Sequence, residues 1–416
     1  MVSQIYYRDE SLTFYPFPAL SKGQISSFSA SQQDTDQYGA KITFNSQPLT
    51  GWDLTWGVDA DHETFNSNQM FFDLDKAMAS GGLNNQSAYT TGRYPGYSIT
   101  NLAPFLQTSY DLNDIFTLSG GVRYQWTENR VDDFVGYAQQ QDVAKGKYQS
   151  ADAIPGGKTD YDNFLFNAGI VAHITERQQT WFNFSQGVEL PDPGNITVSA
   201  ATAPRSTAIC RWSRALRRRL AATGDQSYSW ELGWRYTGDN LRTQLAAYYS
   251  TSDKTIVVNR SDMTIDVQSD KRRIYGMEGA VDYFVPDSDW SLGANFNVLK
   301  SQVKTDGSWQ KWDVTLASPS KATAWVGWAP DPWSLRVQSQ QVFDLSDASG
   351  NKLDGYNTVD FIGSYLLPVG KLTFSIENLL NEDYVTIWGQ RAPLLYSPTY
   401  GSAGLYEYKA VAGPSA

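Results

Sequence analysis

The densest group of potential metal ligands in this chain is a run of three carboxylates and one histidine: Asp59, Asp61, His62 and Glu63. Carboxylate and imidazole groups are ordinary zinc ligands, so the residue types alone would suit a metal centre. The spacing argues against one shared ion, because side chains alternate along a strand and His62 would face away from the three acids. A hydrated polar face of a β-strand is the favoured alternative.

The 416 residues contain few other candidates for a catalytic site, with two histidines and a single cysteine in all. Gly157-Lys158-Thr159 lacks the earlier glycine of a phosphate loop, since Asp152 holds that position, and there is no nucleophile elbow or His-Glu-x-x-His motif. No catalytic residue is therefore assigned, and the protein is not expected to be an enzyme. The second histidine, His173, lies at the end of a predicted strand and is expected to face the lumen of a β-barrel or its periplasmic rim. The single cysteine excludes an internal disulfide, and the net charge of -11 disfavours nucleic acid as a partner.

The elements that must position these residues are strands in which apolar and polar side chains alternate. Over Phe116–Thr127, apolar side chains and one glycine hold the even positions, while polar side chains and a second glycine hold the odd ones. The same apolar stripe recurs at the even positions of Phe164–Ile174 and of Tyr228–Tyr236. Each run can cross a bilayer at a tilt of ~45°, which takes about 9 to 11 residues. A helical span would need about 18 consecutive apolar residues, and the sequence has no such stretch.

Aromatic residues are abundant although the chain as a whole is polar. The sequence contains 14 Trp, 25 Tyr and 19 Phe, yet its mean hydropathy is -0.44. A transmembrane β-barrel explains both values, because only one face of each strand meets lipid. Several aromatic residues fall near strand ends, where such barrels carry interfacial girdles: Tyr124, Trp126, Trp234, Tyr236, Trp290, Trp328 and Trp333.

Seven tight reversals rich in Gly, Pro, Asn and Asp alternate with six long polar connections. The reversals, assigned to the periplasmic side, are predicted at Leu49–Gly51, Asp111–Asp114, Thr175–Gln178, Gly238–Asn240, Pro286–Asp289, Pro330–Pro332 and Pro368–Gly370. The connections, assigned to the extracellular side, are predicted at 66–97, 128–160, 189–224, 254–272, 302–319 and 345–355. Seven hairpins with one or two further strands at the ends predict an all-β fold, an antiparallel transmembrane β-barrel of about 15 or 16 strands.

Five segments of the chain resemble a known family, and the first of them is a short motif. The stretch SIENLLNEDY at Ser375–Tyr384 resembles the Asn-Leu-x-Asp/Asn-x-x-Tyr segment of TonB-dependent outer-membrane receptors. The matching positions are Asn378, Leu379, Asn381 and Tyr384. Four longer stretches are similar to the ferric-siderophore importers of that family, in particular those for ferric aerobactin: YTTGRYPGYSITNLAPFLQ from Tyr89, SADAIPGG from Ser150, FNFSQGVELPDPG from Phe182 and IWGQRAPLLYSPTYG from Ile387.

The resemblance implies a receptor in the Gram-negative outer membrane, surrounded by lipid and lipopolysaccharide, that imports a ferric siderophore, with ferric aerobactin as the expected ligand. Iron would arrive as cargo, and no resident cofactor is expected. Such transporters have 22 strands and a plugged lumen. Residues 1–416 are therefore expected to be part of that barrel without the plug, signal peptide or TonB box, and the contact with TonB is expected in a region ahead of this chain. The alternatives are a porin-like or adhesin barrel without transport, or a defective gene product.

Recognition of an anionic ferric siderophore calls for guanidinium groups and aromatic walls. Candidate binding residues near the ends of the extracellular connections are Arg93, Tyr94, Tyr97, Arg272, Arg273, Arg391, Tyr396 and Tyr400. Packing within a girdle or a loop is the alternative role for each of them.

Two segments differ in composition and residue pattern from the rest of the chain. Residues 195–224 contain six arginines, the cysteine Cys210 and no acidic residue, and they lack alternation. This extracellular loop and the C-terminal residues 409–416 are predicted to be frame-shifted sequence. A variable basic loop and a disordered tail are the alternatives.

Overall fold

The computed structural model describes residues 1–21, 24–189, 225–253, 255–259, 264–268, 271–391 and 394. The two segments predicted to be frame-shifted, 195–224 and 409–416, lie outside the described residues, as do the candidates Tyr396 and Tyr400.

Strands make up most of the described chain. They are β1 (Val2–Ser21), β2 (Gln24–Leu49), β3 (Trp52–Phe72), β4 (Ser87–Gly92), β5 (Tyr97–Asp111), β6 (Phe116–Val131), β7 (Gly157–Thr175), β8 (Gln178–Glu189), β9 (Asp225–Thr237), β10 (Leu241–Ser252), β11 (Thr255–Asn259), β12 (Thr264–Gln268), β13 (Arg272–Phe284), β14 (Trp290–Thr305), β15 (Ser308–Lys311), β16 (Lys321–Trp328), β17 (Trp333–Val342), β18 (Leu345–Ser346), β19 (Lys352–Leu353), β20 (Tyr356–Leu367) and β21 (Gly370–Ile376). Two short helices, α1 (Leu74–Ala79) and α2 (Tyr137–Ala144), lie in extracellular connections. Within the described part of the chain, no helix has both the length and the apolar character needed to cross a membrane.

One antiparallel sheet contains 17 strands of the described residues. When the short β4 and β15 are set aside, fifteen strands remain, and each pairs with the next one along the chain. This confirms the predicted antiparallel topology and strand number. The structure adds a first hairpin, β1–β2, whose 20-residue and 26-residue strands extend well beyond the span needed to cross a bilayer.

The seven predicted reversals all coincide with tight connections between paired strands. Gly51 has a φ of 75° and Asp287 a φ of 54°, a left-handed backbone that glycine and aspartate tolerate best.

The strands extend further into the extracellular connections than predicted, and the predicted boundaries at residues 66, 128, 160 and 302 are wrong, since β6 continues to Val131 and β7 already begins at Gly157. Strand β3 continues to Phe72 and β14 continues to Thr305, and β11 and β12 form a hairpin within the interval 254–272. Beyond the membrane both faces of a strand meet water, so the apolar stripe ends while the backbone hydrogen bonds of the ladder continue. The alternation of apolar and polar side chains therefore indicates where the lipid-facing stripe ends, but not where the strand itself ends.

The register places the predicted apolar stripes on one continuous face. Phe166 pairs with Val122, Phe182 with Ile170, and Leu232 with Phe182, so the stripes of four neighbouring strands coincide. Large apolar side chains stay open on this face, including Leu232 at 58% exposure. An exposed apolar surface of this extent is the lipid-facing side of a membrane barrel, and the opposite face is the lumen.

Candidate functional site in the lumen wall and extracellular loops

The carboxylate run on β3 belongs to the lumen wall. Asp59 accepts a hydrogen bond at 2.6 Å from Nη1 of Arg123 on β6 and lies 3.5 Å from Nζ of Lys41 on β2. Asp61 accepts a hydrogen bond from the side-chain amide of Asn101 at 2.9 Å. His62 faces the other way, with Nδ1 2.8 Å from Oγ1 of Thr100. The predicted opposition of His62 to the acids is confirmed, and these acids serve as partners in a polar network.

Two further lumen contacts escaped the sequence analysis. The guanidinium of Arg336 on β17 lies 4.4 Å from the ring centroid of Trp325 on β16. The indole Nε1 of Trp181 donates to the carboxylate of Glu231 at 2.6 Å. The residue types alone suggested girdle positions for tryptophan, yet both rings occupy the lumen side of their strands. Trp181 and Trp325 occupy the positions that alternate with the apolar stripe of their strands, and this spacing could have identified them as lumen residues from the sequence.

Arg93 lies between aromatic rings at the end of β4. Its guanidinium carbon is 4.9 Å from the ring centroid of Tyr137 on α2 and 5.3 Å from that of Tyr94. Among the described residues no carboxylate forms an ion pair with Arg93. Burial raises the pKa of the Tyr137 hydroxyl and the neighbouring Arg93 opposes that rise. The site therefore combines the permanent positive charge of Arg93 with the neutral phenol of Tyr137. Because no carboxylate of the described residues pairs with Arg93, its guanidinium can bind an anion.

A cavity of about 780 Å³ opens between β3, β4 and the loop that carries α2, and its lining includes both sequence neighbours of Arg93, Gly92 and Tyr94, but not Arg93 itself. Its wall also includes Thr91, Gln140 and one carboxylate, Asp133. Thr91 is 4% exposed, and its buried hydroxyl has no hydrogen-bond partner within the described part of the protein. Cavities of this volume suit small-molecule ligands. Tyr97, the third candidate of this group, stacks on Phe65 at 4.7 Å and so packs within the strand pair.

Arg272 and Arg273 point to opposite faces of β13, so the structure separates two candidates that are adjacent in sequence. Arg272 lies on the lumen side, 3.5 Å from a carboxylate oxygen of Glu189 and 5.4 Å from the ring of Trp312. Arg273 lies on the outer side, 4.1 Å from the ring of Trp309. A ligand in the lumen can therefore reach Arg272 and not Arg273.

Arg391 holds loop backbone in place. Its Nε donates to the carbonyl oxygen of Val314 at 2.8 Å, and its Nη2 donates to that of Ala317. Burial lowers the pKa of the guanidinium, while the nearby Asp313 opposes that effect. Because its donors are directed at these carbonyls, Arg391 acts as a positioning residue.

Arg391 belongs to a packed layer of loops, which we call the loop cap, formed by residues 312–320, 343–355 and 377–391. Its buried apolar core consists of Val314, Leu353 and Ile387 together with Val342, the last residue of β17. This core joins the three loops to the end of β17, so the extracellular side of β16–β21 has a packed structure of its own.

Asp347 forms the polar centre of the loop cap. Its carboxylate accepts hydrogen bonds from the backbone amides of Ser349 and Asn351 at 2.9 Å and from the Asn351 side chain at 2.8 Å. A longer bond of 3.4 Å comes from the backbone amide of Val314. Burial favours the protonated acid, but the hydrogen bonds together outweigh burial and lower the pKa of Asp347.

The Asn-Leu-x-Asn-x-x-Tyr segment is a turn of the loop cap. The Asn378 side chain accepts from the backbone amide of Glu382 and donates to its carbonyl, both at 2.9 Å. Asn378 and Asn381 have φ values of 52° and 53°, which asparagine tolerates better than most residues. Tyr384 stacks on Tyr356 at 4.3 Å. The motif residues thus shape the return of the chain after β21.

Comparison with known proteins matches this architecture. The family model described as "TonB dependent receptor-like, beta-barrel" matches residues 2–379. The chain is 65% identical over 413 residues to a ferric aerobactin receptor of Klebsiella pneumoniae, covering 98% of this chain and 56% of that protein. It is 62% identical to the ferric aerobactin receptor of Escherichia coli with the same coverage. A rhizobactin receptor of Rhizobium meliloti (strain 1021) is 37% identical, with 97% of this chain and 54% of that protein covered. The chain therefore spans just over half the length of these relatives.

Solved structures share the fold at low sequence identity. The copper transporter OprC aligns with a TM-score of 0.69 at 14% identity, over 92% of this chain and 57% of OprC. The ferric citrate transporter FecA in its unliganded form aligns with a TM-score of 0.62 at 14% identity, over 92% of this chain and 55% of FecA. The family match, the alternating strands and the sheet of paired neighbours lead to one conclusion: this chain belongs to the TonB-dependent receptor-like β-barrel family of outer-membrane proteins.

Proposed function

We propose that the protein containing this chain imports a ferric siderophore across the outer membrane, with ferric aerobactin as the ligand and energy supplied through TonB. The observation that carries the proposal is the identity of 65% and 62% to two ferric aerobactin receptors over 98% of the chain. The rhizobactin receptor is more distant at 37% identity, so ferric rhizobactin is the second candidate ligand.

The chemistry of the extracellular loops supports an anionic ligand. Ferric aerobactin carries carboxylate and hydroxamate oxygens around the iron, and guanidinium groups bind such oxygens through short charge-assisted hydrogen bonds. Arg93 is the best placed of the candidates, because it has aromatic neighbours and no carboxylate partner among the described residues. The cavity of about 780 Å³ that Tyr94 lines offers hydroxyl and amide groups for the remaining oxygens, and its one carboxylate, Asp133, accepts a hydrogen bond from the backbone amide of Gly156 at 2.7 Å.

The other arginines are less available for ligand. Arg272 faces the lumen but shares its charge with Glu189 at 3.5 Å. Arg391 is committed to backbone carbonyls of the loop cap. We therefore assign the primary contact to Arg93, a secondary lumen contact to Arg272 and a supporting role to Arg391.

The test is uptake of radioactive iron as ferric aerobactin by cells that lack their own receptor and express the protein containing this chain. Replacing Arg93 with Gln should raise the half-saturating concentration about tenfold to a hundredfold, since a hydrogen bond to a charged group contributes about 1.5–3 kcal/mol. The matched control is Arg130→Gln, because Arg130 is an exposed arginine on the outer face of β6 and should leave uptake unchanged.

Three outcomes would contradict the proposal. Surface-expressed protein that takes up no ferric aerobactin would refute the ligand assignment, and preferential uptake of ferric rhizobactin would replace it. Uptake that persists without TonB, together with ion conductance in planar bilayers, would favour the porin-like alternative. Equal uptake by the Arg93 variant and its control would reject Arg93 as the contact while leaving the ligand assignment intact.

A further inference from the structure

Arg336 lies deep in the lumen wall, far below the arginines of the extracellular loops. Through the ladder of paired strands it is level with Ser291 on β14, whereas Arg272 is level with Val303 on the same strand. The rise between these two positions is about 40 Å along the strand. Because Arg336 follows shortly after the tight turn at Pro330–Pro332, it lies near the periplasmic end of the barrel.

The outer surface of the barrel is apolar at the height of Arg336. Its neighbour Val337 is 44% exposed, and Val326, the partner of Val337 on β16, is 49% exposed. Strand side chains alternate, so Arg336 faces the lumen at a height where the outside of the barrel meets lipid. A charged side chain at membrane depth is costly unless it faces a cavity, and such residues commonly mark the path of a substrate or an ion.

Two glycines allow the ring of Trp325 to lie flat against the lumen wall beside Arg336. A Cβ atom at Gly293 would lie 2.6 Å from both Cε2 and Nε1 of the indole, and one at Gly327 would lie 3.3 Å from Cζ3. The guanidinium carbon of Arg336 lies 4.4 Å from the centroid of the ring. We call Arg336 and Trp325 the lower lumen pair. The ring limits the orientations of the guanidinium without neutralising its charge.

The guanidinium of Arg336 has donors to spare. Its Nε atom is buried and has no hydrogen-bond partner within the described part of the protein. No carboxylate of the described residues forms an ion pair with it. A buried donor without a partner is destabilising, so the arrangement favours an acceptor that enters the lumen.

Two lumen carboxylates lie in this region, and neither neutralises Arg336. Asp360 on β20 accepts hydrogen bonds from a side-chain amide at 3.2 Å and from the backbone amide of Asn378 at 3.0 Å. Asp282 on β13 is close to the wall of the pair, since its Oδ1 lies 2.7 Å from the position that a Cβ of Gly293 would take. It nevertheless forms no ion pair among the described residues.

We propose that the lower lumen pair is a second binding site for the anionic ferric siderophore, occupied as the ligand leaves the lumen for the periplasm. The guanidinium donates to a carboxylate or hydroxamate oxygen of the ligand, and the indole contacts its aliphatic part. A contact at this depth divides a path of about 40 Å into two shorter transfers. The inference rests on the proposed function, from which it takes the class of ligand.

The experiment separates binding at the cell surface from transfer through the lumen. Cells that lack their own receptor express the full-length protein containing this chain or its Arg336→Gln variant. Surface binding of ferric aerobactin with radioactive iron is titrated in de-energised cells, and the initial rate of uptake is measured in energised cells. The variant should bind with a half-saturating concentration within about twofold of the original and take up iron at a maximal rate about tenfold lower, because a charge-assisted hydrogen bond is lost only during transfer.

Two further variants test the chemistry of the contact. Arg130→Gln removes the same charge from the outer face of β6 and should change neither surface binding nor the rate of uptake. Arg336→Lys keeps the charge but not the planar fork, so its maximal rate should lie between those of the original protein and the Gln variant.

The outcomes distinguish this inference from the proposed function. Absence of surface binding by the original protein would reject the proposed function and the inference with it. Surface binding with equal uptake rates in the Arg336→Gln variant and the Arg130→Gln control would reject the inference alone. Ion conductance that appears in planar bilayers with the Arg336→Gln variant, without siderophore, would assign Arg336 to a contact with another part of the protein inside the lumen and would also overturn it.

Heat-modifiable gel mobility and surface labelling check that each variant is folded and exported. If Arg336→Gln does not fold, Trp325→Leu takes its place, because it removes the ring beside the guanidinium and leaves the charge. This variant should bind ferric aerobactin normally at the surface and take it up at least about threefold more slowly, since the orientation of the guanidinium is no longer limited. An unchanged rate in this variant would equally reject the proposal.

Discussion

Replacing Asp347 with Ala should open the loop cap without unfolding the barrel. The carboxylate accepts two backbone hydrogen bonds at 2.9 Å and one side-chain hydrogen bond at 2.8 Å, and the residue is only 8% exposed. Hydrogen bonds to a charged group contribute about 1.5–3 kcal/mol each. The amides of Ser349 and Asn351 lie close to solvent and regain water when the acid is removed. Three such bonds at about 1.5 kcal/mol each would total about 4.5 kcal/mol, and because two of the donors regain water we expect a loss of about 3 kcal/mol.

Hydrogen exchange measures this loss directly. A change of about 3 kcal/mol corresponds to roughly a hundredfold faster exchange of the amides in 343–355, because each 1.4 kcal/mol is tenfold. The amides of the central strands, such as those of β6, should keep their protection. The matched control is Asp354→Ala in the same loop, because Asp354 is exposed and pairs with Lys352 at 2.8 Å. A surface pair of this kind contributes at most about 1 kcal/mol, so the control should change exchange by less than about fivefold.

The pH dependence of the loop cap provides a second measurement. Hydrogen bonding lowers the pKa of Asp347 in the folded protein, so its stabilising effect is present above the unfolded value of about 4 and is lost as pH falls through the lower folded value. Exchange in 343–355, corrected for its intrinsic rate, should therefore accelerate below about pH 4 in the original chain and much less in the Asp347 variant. Equal exchange in the Asp347 variant and the Asp354 control at neutral pH would refute the assignment of Asp347 as the centre of the loop cap.

Three other substitutions test individual contacts. Asn378→Ala should destabilise the turn after β21 by about 1–3 kcal/mol, because it removes two hydrogen bonds and leaves a φ of 52°; faster exchange of the Glu382 amide would show this, and unchanged exchange would contradict it. Arg391→Lys keeps the charge but cannot reach both carbonyls, so exchange in 312–320 should rise about tenfold, whereas unchanged protection would show that one donor is sufficient. Trp181→Phe removes the indole donor to Glu231 at 2.6 Å and should lower barrel stability by about 1–3 kcal/mol, measured as the denaturant midpoint of heat-modifiable mobility; a midpoint equal to that of the original chain would show that water replaces the donor.

The sequence alone was sufficient for the fold class, the strand number and the two faces of the sheet. Period-two alternation is local, so the stripe of Phe116–Thr127 can be identified without knowing its partner strands. Turn residues such as Gly51 and Asp287 adopt a left-handed backbone conformation at low cost. Each reversal can therefore be identified from the residue types of its own short segment.

The sequence also placed His62 and the neighbouring acids on opposite faces, which the structure confirms. The extent of the extracellular strands was not accessible in the same way. Outside the membrane the residues Asn66–Gln69 of β3 and Lys300–Gln302 of β14 are polar on both faces, so continuing strand and loop have the same composition there. Pairing with a partner strand is what distinguishes them.

The roles of the candidate arginines were decided only by tertiary structure. Arg93, Arg272, Arg273 and Arg391 are one residue type in similar loop-end positions, and composition gives them the same chemistry. Their partners are remote in sequence: Arg391 bonds Val314 across 77 positions, and Arg272 meets Glu189 across 83. A guanidinium is a candidate ligand contact, a support for loop backbone or one half of an ion pair according to which groups the paired strands bring within a few ångströms of it. That proximity is a property of the register of the whole sheet, which no local pattern of residues encodes.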